Sequence, residues 1–227
     1  MIKQIEDIVR DVRIAIDENA SSTPLILDGD SDTLTLDEII KSKIADAVKK
    51  VEMDAPTRLL ESGFNIEGIG YRKEENTGNE ILNKNTVYWE DDLSGWMILP
   101  EDFMRLLVFR MSDWKKSVYT PIGITDEAYS LQSCPFTGIR GNAEKPVCAI
   151  VLRSVGLSLE FYSCTSKDAT VEQAVYLPIP VIKDNGIHIC KKCYPSIVYY
   201  IAALTELSIG NADAARLFSD LSAGLLL

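Results

Sequence analysis

This chain has one histidine in 227 residues, His188, and few of the patterns that usually announce catalysis. A single imidazole removes the main component of Ser-His-Asp triads, histidine-rich metal centres and most histidine proton shuttles. No G-x-S-x-G elbow, phosphate-cradling G-x-x-x-x-G-K-[ST] loop or dinucleotide G-x-G-x-x-G is present; Gly68-Ile-Gly70 runs on into Tyr, Arg and Lys. Five scattered cysteines are an odd and sparse set, unlike the even, dense framework of a small secreted domain. No run approaches the 18 apolar residues of a membrane span. The opening Met1-Ile-Lys-Gln-Ile-Glu-Asp7 carries acids where a secretory signal needs a basic start and an apolar core. The expectation is a soluble protein made in a reducing cytoplasm, with no membrane partner and no cofactor.

Basic residues are also short. Against 34 acidic side chains stand 23 basic ones, a net charge of -11. Nucleic-acid grip comes mainly from Lys and Arg neutralising phosphates, so DNA or RNA should not adhere to the general surface. A repulsive surface suits a passage through which DNA slides without sticking. About half of the net charge falls in residues 1–61, which hold 14 acids and 8 bases.

What is abundant is apolar: 46% of the residues are hydrophobic, enough for one large domain or two small ones. Ile5, Val9, Val12 and Ile16 form a helical stripe and predict a first helix over Ile2–Glu18. A polar loop, Asn19–Thr35, leads to Thr35-Leu-Asp-Glu38, a capping-box pattern that opens a second helix. Its stripe is Leu36, Ile40, Ile44, Val48 and Val51, and Pro56 interrupts it. A helical tail over Thr57–Glu61 then reaches Gly63.

From Phe64 to Pro180 the periodicity shortens. Val87–Trp89 and Trp96–Leu99 flank the turn Glu90–Gly95 and predict a β-hairpin. Phe103–Met111, Pro146–Arg153, Leu157–Ser163 and Val171–Leu177 are further strand candidates at meander spacing. Helices return after Asp184-Asn-Gly186. Pro195 suits a first turn, with Ile197, Ile201, Leu204 and Ser208 on one side, widened by Val198 and Ala202. Gly210 stops this helix, and Asn211 caps another whose buried side is Ala215, Phe218 and Leu221–Leu225. The predicted fold is α+β: a helical bundle from both chain ends with an inserted antiparallel β-sandwich or small barrel. The predicted parts are residues 1–62, an insert at 63–186, and closing helices at 187–227.

Three clusters could carry chemistry. Asp28-Gly-Asp-Ser-Asp32 begins like a calcium loop, but Thr33 stands where the turn wants Gly, and Ile39 where a bidentate Glu is needed. Cys190-Lys-Lys-Cys193 has half-zinc-site spacing. His188 is near in sequence, while Cys134, Cys148 and Cys164 lie in the β region; two incidental thiols at a strand-to-helix junction are the favoured reading. Glu90, Asp91 and Asp92 read as a solvated hairpin tip. Trp89, Trp96 and Trp114 could stack a ligand or fill a core.

The order of these pieces resembles phage head-to-tail connector, or adaptor, proteins of the tail tubular protein A type. The resemblance spans nearly the whole chain through loose motifs. These are Ala15-Ile-Asp-Glu-Asn19 in the opening helix, the second helix from Leu36, and the corner Leu99-Pro-Glu-Asp-Phe103 followed by Trp114. Tyr176-Leu-Pro-Ile-Pro180 comes next, and then the Tyr-rich run Ile197–Leu204. The resemblance implies no catalytic residue. It implies a homo-oligomeric ring in the virion, at the head-tail junction, between the portal protein and a tail protein, with DNA passing without specific binding. Trp96, Leu99, Pro100, Asp102, Phe103 and Trp114 form the corner expected to be structural or to meet a neighbour. Two other readings stand beside it: a ligand-binding β-sandwich, for example for carbohydrate, and a Cys190/Cys193 metal or redox protein.

Overall fold

The computed structural model describes residues 1–16, 34–60, 63–66 and 87–227. It is an α+β protein whose sheets are almost wholly antiparallel, and among the described residues no sheet closes into a barrel. The chain forms two compact units, one of Met1–Ser62 with Ile179–Leu227 and the other of Gly63–Pro178.

The first unit is built on helices. α1 spans Ile5–Ala15 and buries Ile5, Ile8, Val9 and Val12. α2 spans Leu36–Asp54 and opens with the capping box, in which Thr35 Oγ1 accepts the Glu38 amide while Glu38 accepts the Thr35 amide. All five residues of its expected stripe are buried. Pro56 follows its end, and the tail beyond is one 3-10 turn, Thr57–Leu59. α4 (Tyr194–Ser208) packs against α1, α2 and α5 (Ala212–Gly224). Gly210, at φ +89°, occupies the left-handed region that ends a helix without steric penalty. Asn211 Oδ1 then accepts the Ala214 amide at 3.3 Å.

Four expectations for this unit need correction. Ile2–Gln4 is strand β1, not helix; it pairs antiparallel with β11 (Gly186–His188), with Ile2 opposite His188. The pairing satisfies backbone groups that a first helical turn would leave open. β10 (Ile182–Lys183) joins the other side of β11 through Asp184 and Asn185, both at positive φ, the two-residue loop of a tight hairpin. Residues 179–186 therefore belong with the helices rather than with the insert. In α4, Ser208 is exposed and Leu204 half-buried, while Thr205 and Glu206 are buried. In α5, Ala215 and Ser222 are buried, whereas Leu221 and Leu225 are exposed. Small residues let α4 and α5 approach closely, and the leucines fall outside the contact.

The second unit is a sandwich of two sheets around one core. One sheet has the order β2-β9-β5, from Phe64–Asn65, Val171–Pro178 and Phe103–Met111. The other has the order β3-β4-β8-β7-β6, from Val87–Trp89, Gly95–Ile98, Gly156–Phe161, Cys148–Arg153 and Ile122–Gly123. The expected hairpin is present, with Val87 opposite Met97. β6 pairs parallel to β7, and a short helix, α3 (Glu127–Leu131), follows it. Met97, Phe109, Leu159 and Phe161 sit at the centre of the shared core.

Candidate interaction surfaces

The Leu99-Pro-Glu-Asp-Phe103 corner joins β4 to β5. The Phe103 amide donates to the Pro100 carbonyl at 3.1 Å and closes the turn. The Leu99 amide donates to the Leu157 carbonyl at 2.9 Å and holds the end of β4 to β8. Leu99 and Phe103 both enter the core, and the Phe103 ring stacks on Tyr176 at 5.9 Å. Asp102 is exposed, and its Oδ1 accepts the Tyr176 hydroxyl at 2.9 Å. This bond fastens the corner to β9. Pro100 is half-buried on the same turn. Trp114 lies in the core at 1% exposure, edge-on to Phe109 at 5.5 Å.

Trp96 does not join that group. β4 alternates Met97 into the core and Trp96 away from it. Along its row, Trp96 lies between Tyr88 on β3 and Glu160 on β8. The Tyr88 ring stacks on the indole at 4.5 Å, and the Arg153 guanidinium lies 4.6 Å from its centroid. Arg153 Nε and Nη2 both donate to Glu160 Oε1, at 2.9 and 2.5 Å, and Nη2 also reaches Glu90 at 2.7 Å. Glu160 Oε2 accepts the hydroxyls of Tyr129, at 3.1 Å, and Tyr162. Burial, then the Glu160 contact, pushes the Tyr162 phenol up; burial also raises Tyr129, with help from Glu160 and against the lowering effect of its bond with Tyr162, so both remain protonated donors. Each Glu160 oxygen already takes two donors, which fills the capacity of a carboxylate. The cluster braces one face of the sheet and leaves this carboxylate no vacancy for a reacting group.

The hairpin tip is likewise committed. Asp91 Oδ1 accepts the Leu93 and Ser94 amides at 2.7 and 2.6 Å, an Asx turn. Burial would raise the Asp91 pKa, but these bonds outweigh it and hold the carboxyl low. Glu90 pairs with Arg153, and Asp92 with Lys167 at 3.2 Å.

Cys190 and Cys193 are fully buried beside α4. The Cys190 amide donates to Glu52 Oε1 at 2.7 Å, and Glu52 is itself only 3% exposed. Cys134, Cys148 and Cys164 belong to the other unit. Among the described residues no three His, Cys, Asp or Glu side chains gather as a metal site. Asp28–Asp32 and Gly68–Gly70 lie outside the described residues.

Two further surfaces escape sequence reading. In the β unit, Leu131, Phe136 and Ile139 are exposed, Phe136 at 68%. In the helical unit, Tyr199, Leu217, Asp220, Leu221, Gly224 and Leu225 line a cleft of about 420 Å³ along α4 and α5. The leucine spacing 217, 221, 225 could have flagged it as an apolar stripe, but spacing does not reveal whether a stripe is covered.

No helix among the described residues is long and apolar enough to cross a membrane. No protein-family model and no curated sequence matches this chain.

Proposed function

We propose that this protein is a structural subunit of a phage virion, one copy in the head-to-tail connector ring that joins the portal to the tail. The observation that carries the reading is the nested layout. Helices from both chain ends share one unit, and the sandwich inserted between them holds the Leu-Pro-x-Asp-Phe corner at a strand junction. This is the arrangement the connector resemblance calls for. The saturated Glu160 network and the committed hairpin acids are consistent with side chains that build surfaces rather than carry out reactions. The net charge of -11 suits a channel that DNA crosses without adhering. On this reading the protein is made in the bacterial host cytoplasm and ends at the head-tail junction, touching the portal protein, a tail protein and copies of itself.

The test is co-expression with the cognate portal protein, followed by electron microscopy of purified portal particles. The expected result is an added ring of density beneath the portal. Portal particles that never gain density, from a protein that instead binds a sugar or turns over a substrate, would show the reading to be wrong.

A further inference from the structure

We infer that Asn185–Gly186 is a site of spontaneous covalent modification, deamidation with backbone isomerisation, which the β1–β11–β10 sheet holds shut. Asn185 is the one asparagine of the sequence that glycine follows. The modification is independent of the connector reading.

The reaction needs only water. The backbone nitrogen of Gly186 loses its proton and attacks Cγ of Asn185. A C–N bond forms, the side-chain amide leaves as ammonia, and a cyclic succinimide remains. Water then opens the ring at either carbonyl. One opening gives Asp; the other gives isoaspartate, in which the chain runs through Cβ and Cγ. Glycine obstructs the attack least, because it has no Cβ beside the nitrogen.

The turn demands this labile pair. Asp184 and Asn185 form the two-residue loop at φ +49° and +59°, a region where asparagine is one of the few residues to sit readily. The close approach of β1 sets Gly186: a Cβ there would meet Ile2 Cγ2 at 3.1 Å and the Lys3 carbonyl oxygen at 3.4 Å. Asn185 itself is exposed, so water reaches its side chain.

The same sheet withholds the nucleophile. The Asn185 carbonyl accepts the Ile5 amide at 2.9 Å and therefore points at the β1 side. In a planar trans peptide the carbonyl and the following N–H point opposite ways. The Gly186 amide thus faces β10, where Lys183 is its register partner. To bring this nitrogen onto Cγ, the peptide must turn about Asn185 ψ and give up its hold on both sides. Attack therefore waits for local opening of the sheet. Isoaspartate lengthens the backbone of the two-residue loop and adds a carboxylate to it. The loop then no longer fits the register that sets Lys183 opposite Gly186, and an opening that reaches isoaspartate is a one-way event.

Peptide mapping by mass spectrometry of the full-length protein, held at mildly alkaline pH, tests this. In urea, Asn185 should show the mass change of deamidation, with isoaspartate, roughly tenfold or more faster than under folding conditions. It should also outrun Asn142 and Asn211, each of which Ala follows. Main-chain bonds at Met1–Ile189 and Ile5–Asn185 place Lys3 and Ile187 in the bonded pair between them. Lys3→Pro deletes that donor and should speed the conversion of Asn185 under folding conditions, whereas Lys3→Ala keeps the amide and should not. Circular dichroism verifies that the proline variant is folded, and the comparison of the parent with and without urea does not depend on it. Isoaspartate chains, separated by ion exchange and refolded, should melt at a lower temperature than the parent. Equal rates in urea and under folding conditions, an Asn185 no faster than Asn142 in urea, or a folded Lys3→Pro variant no faster than Lys3→Ala would overturn the inference. An unchanged melting temperature for the isoaspartate form would overturn the one-way step.

Discussion

The hydroxyl of Tyr176 donates to Asp102 at 2.9 Å, while the ring of the same tyrosine stacks on Phe103. One side chain on β9 thus holds the β4–β5 corner by both its polar and its apolar parts. The two parts differ in worth. Phe103→Ala opens a cavity at a core position and should cost about 3–5 kcal/mol, and Leu99→Ala about 2–5 kcal/mol. Tyr176→Phe removes one bond to an exposed carboxylate and should cost only about 0.5–1.5 kcal/mol. Urea denaturation checks the order; a near-neutral Phe103→Ala would place the corner outside the core.

Ser196 and Ser222 lock α4 to α5 by exchange. Each hydroxyl donates to the other residue's backbone carbonyl at 2.9 Å, and both side chains are buried. Replacing either by Ala leaves a buried acceptor without its donor, at about 1–3 kcal/mol. The double variant leaves both carbonyls without their donors and should lose close to the sum, and a double-mutant cycle measures any coupling through the 2.9 Å contact between the two hydroxyl oxygens.

Glu52 makes stability fall as pH rises. Burial raises its pKa against the lowering effect of the Cys190 amide, so the folded state prefers the protonated acid. A raised folded pKa contributes stability that is fully present below the ordinary glutamate value and lost as pH climbs through the folded value. Glu52→Gln keeps an acceptor for Cys190 and removes the ionisation. Its stability relative to the parent should therefore improve between about pH 4.5 and neutrality. Asp11 has the opposite sign: burial raises its pKa, but the Tyr194 hydroxyl and the Lys3 and Arg10 charges together hold it low. Its contribution is present above the ordinary aspartate value and lost as pH falls through the folded one. Chemical denaturation at several pH values separates the two.

The thiols should be inert while the protein is folded. Cys148, Cys164, Cys190 and Cys193 are buried, and burial pushes the Cys164 thiol up to about 12. Ellman's reagent should react quickly with Cys134 at most, and with all five cysteines after denaturation. Treatment with a chelator should leave the melting temperature unchanged, and elemental analysis should find less than stoichiometric zinc and calcium. A chelator-induced drop would return attention to Cys190 and Cys193 or to Asp28–Asp32.

Much of the candidate interface was legible only in part. The corner could be read because Leu99, Pro100 and Phe103 act through neighbours in the chain, and an apolar residue on either side of a Pro turn points inward on both strands. Trp96 and Trp114 look alike in the sequence, yet strand parity sends Trp96 to the Tyr88–Arg153 face, and Trp114 lies in the core. The exposed Phe136 and Ile139 carry no periodic signal at all.

Local physics determined the elements that the sequence shows by itself. The Thr35–Glu38 capping box, the α2 stripe, the Val87–Met97 hairpin and the Gly210 stop depend on residues a few positions apart, and each formed as that spacing requires. Tertiary structure decided what depends on distant partners. Ile2–Gln4 became a strand because β11 offers open hydrogen-bonding groups from the far end of the chain. Asp102 bonds to Tyr176, 74 residues away. The α5 leucines stayed exposed because Ala215 and Ser222 allow the closer helix contact. A periodic pattern shows that a face is apolar; only packing shows whether the rest of the chain covers it or leaves it exposed.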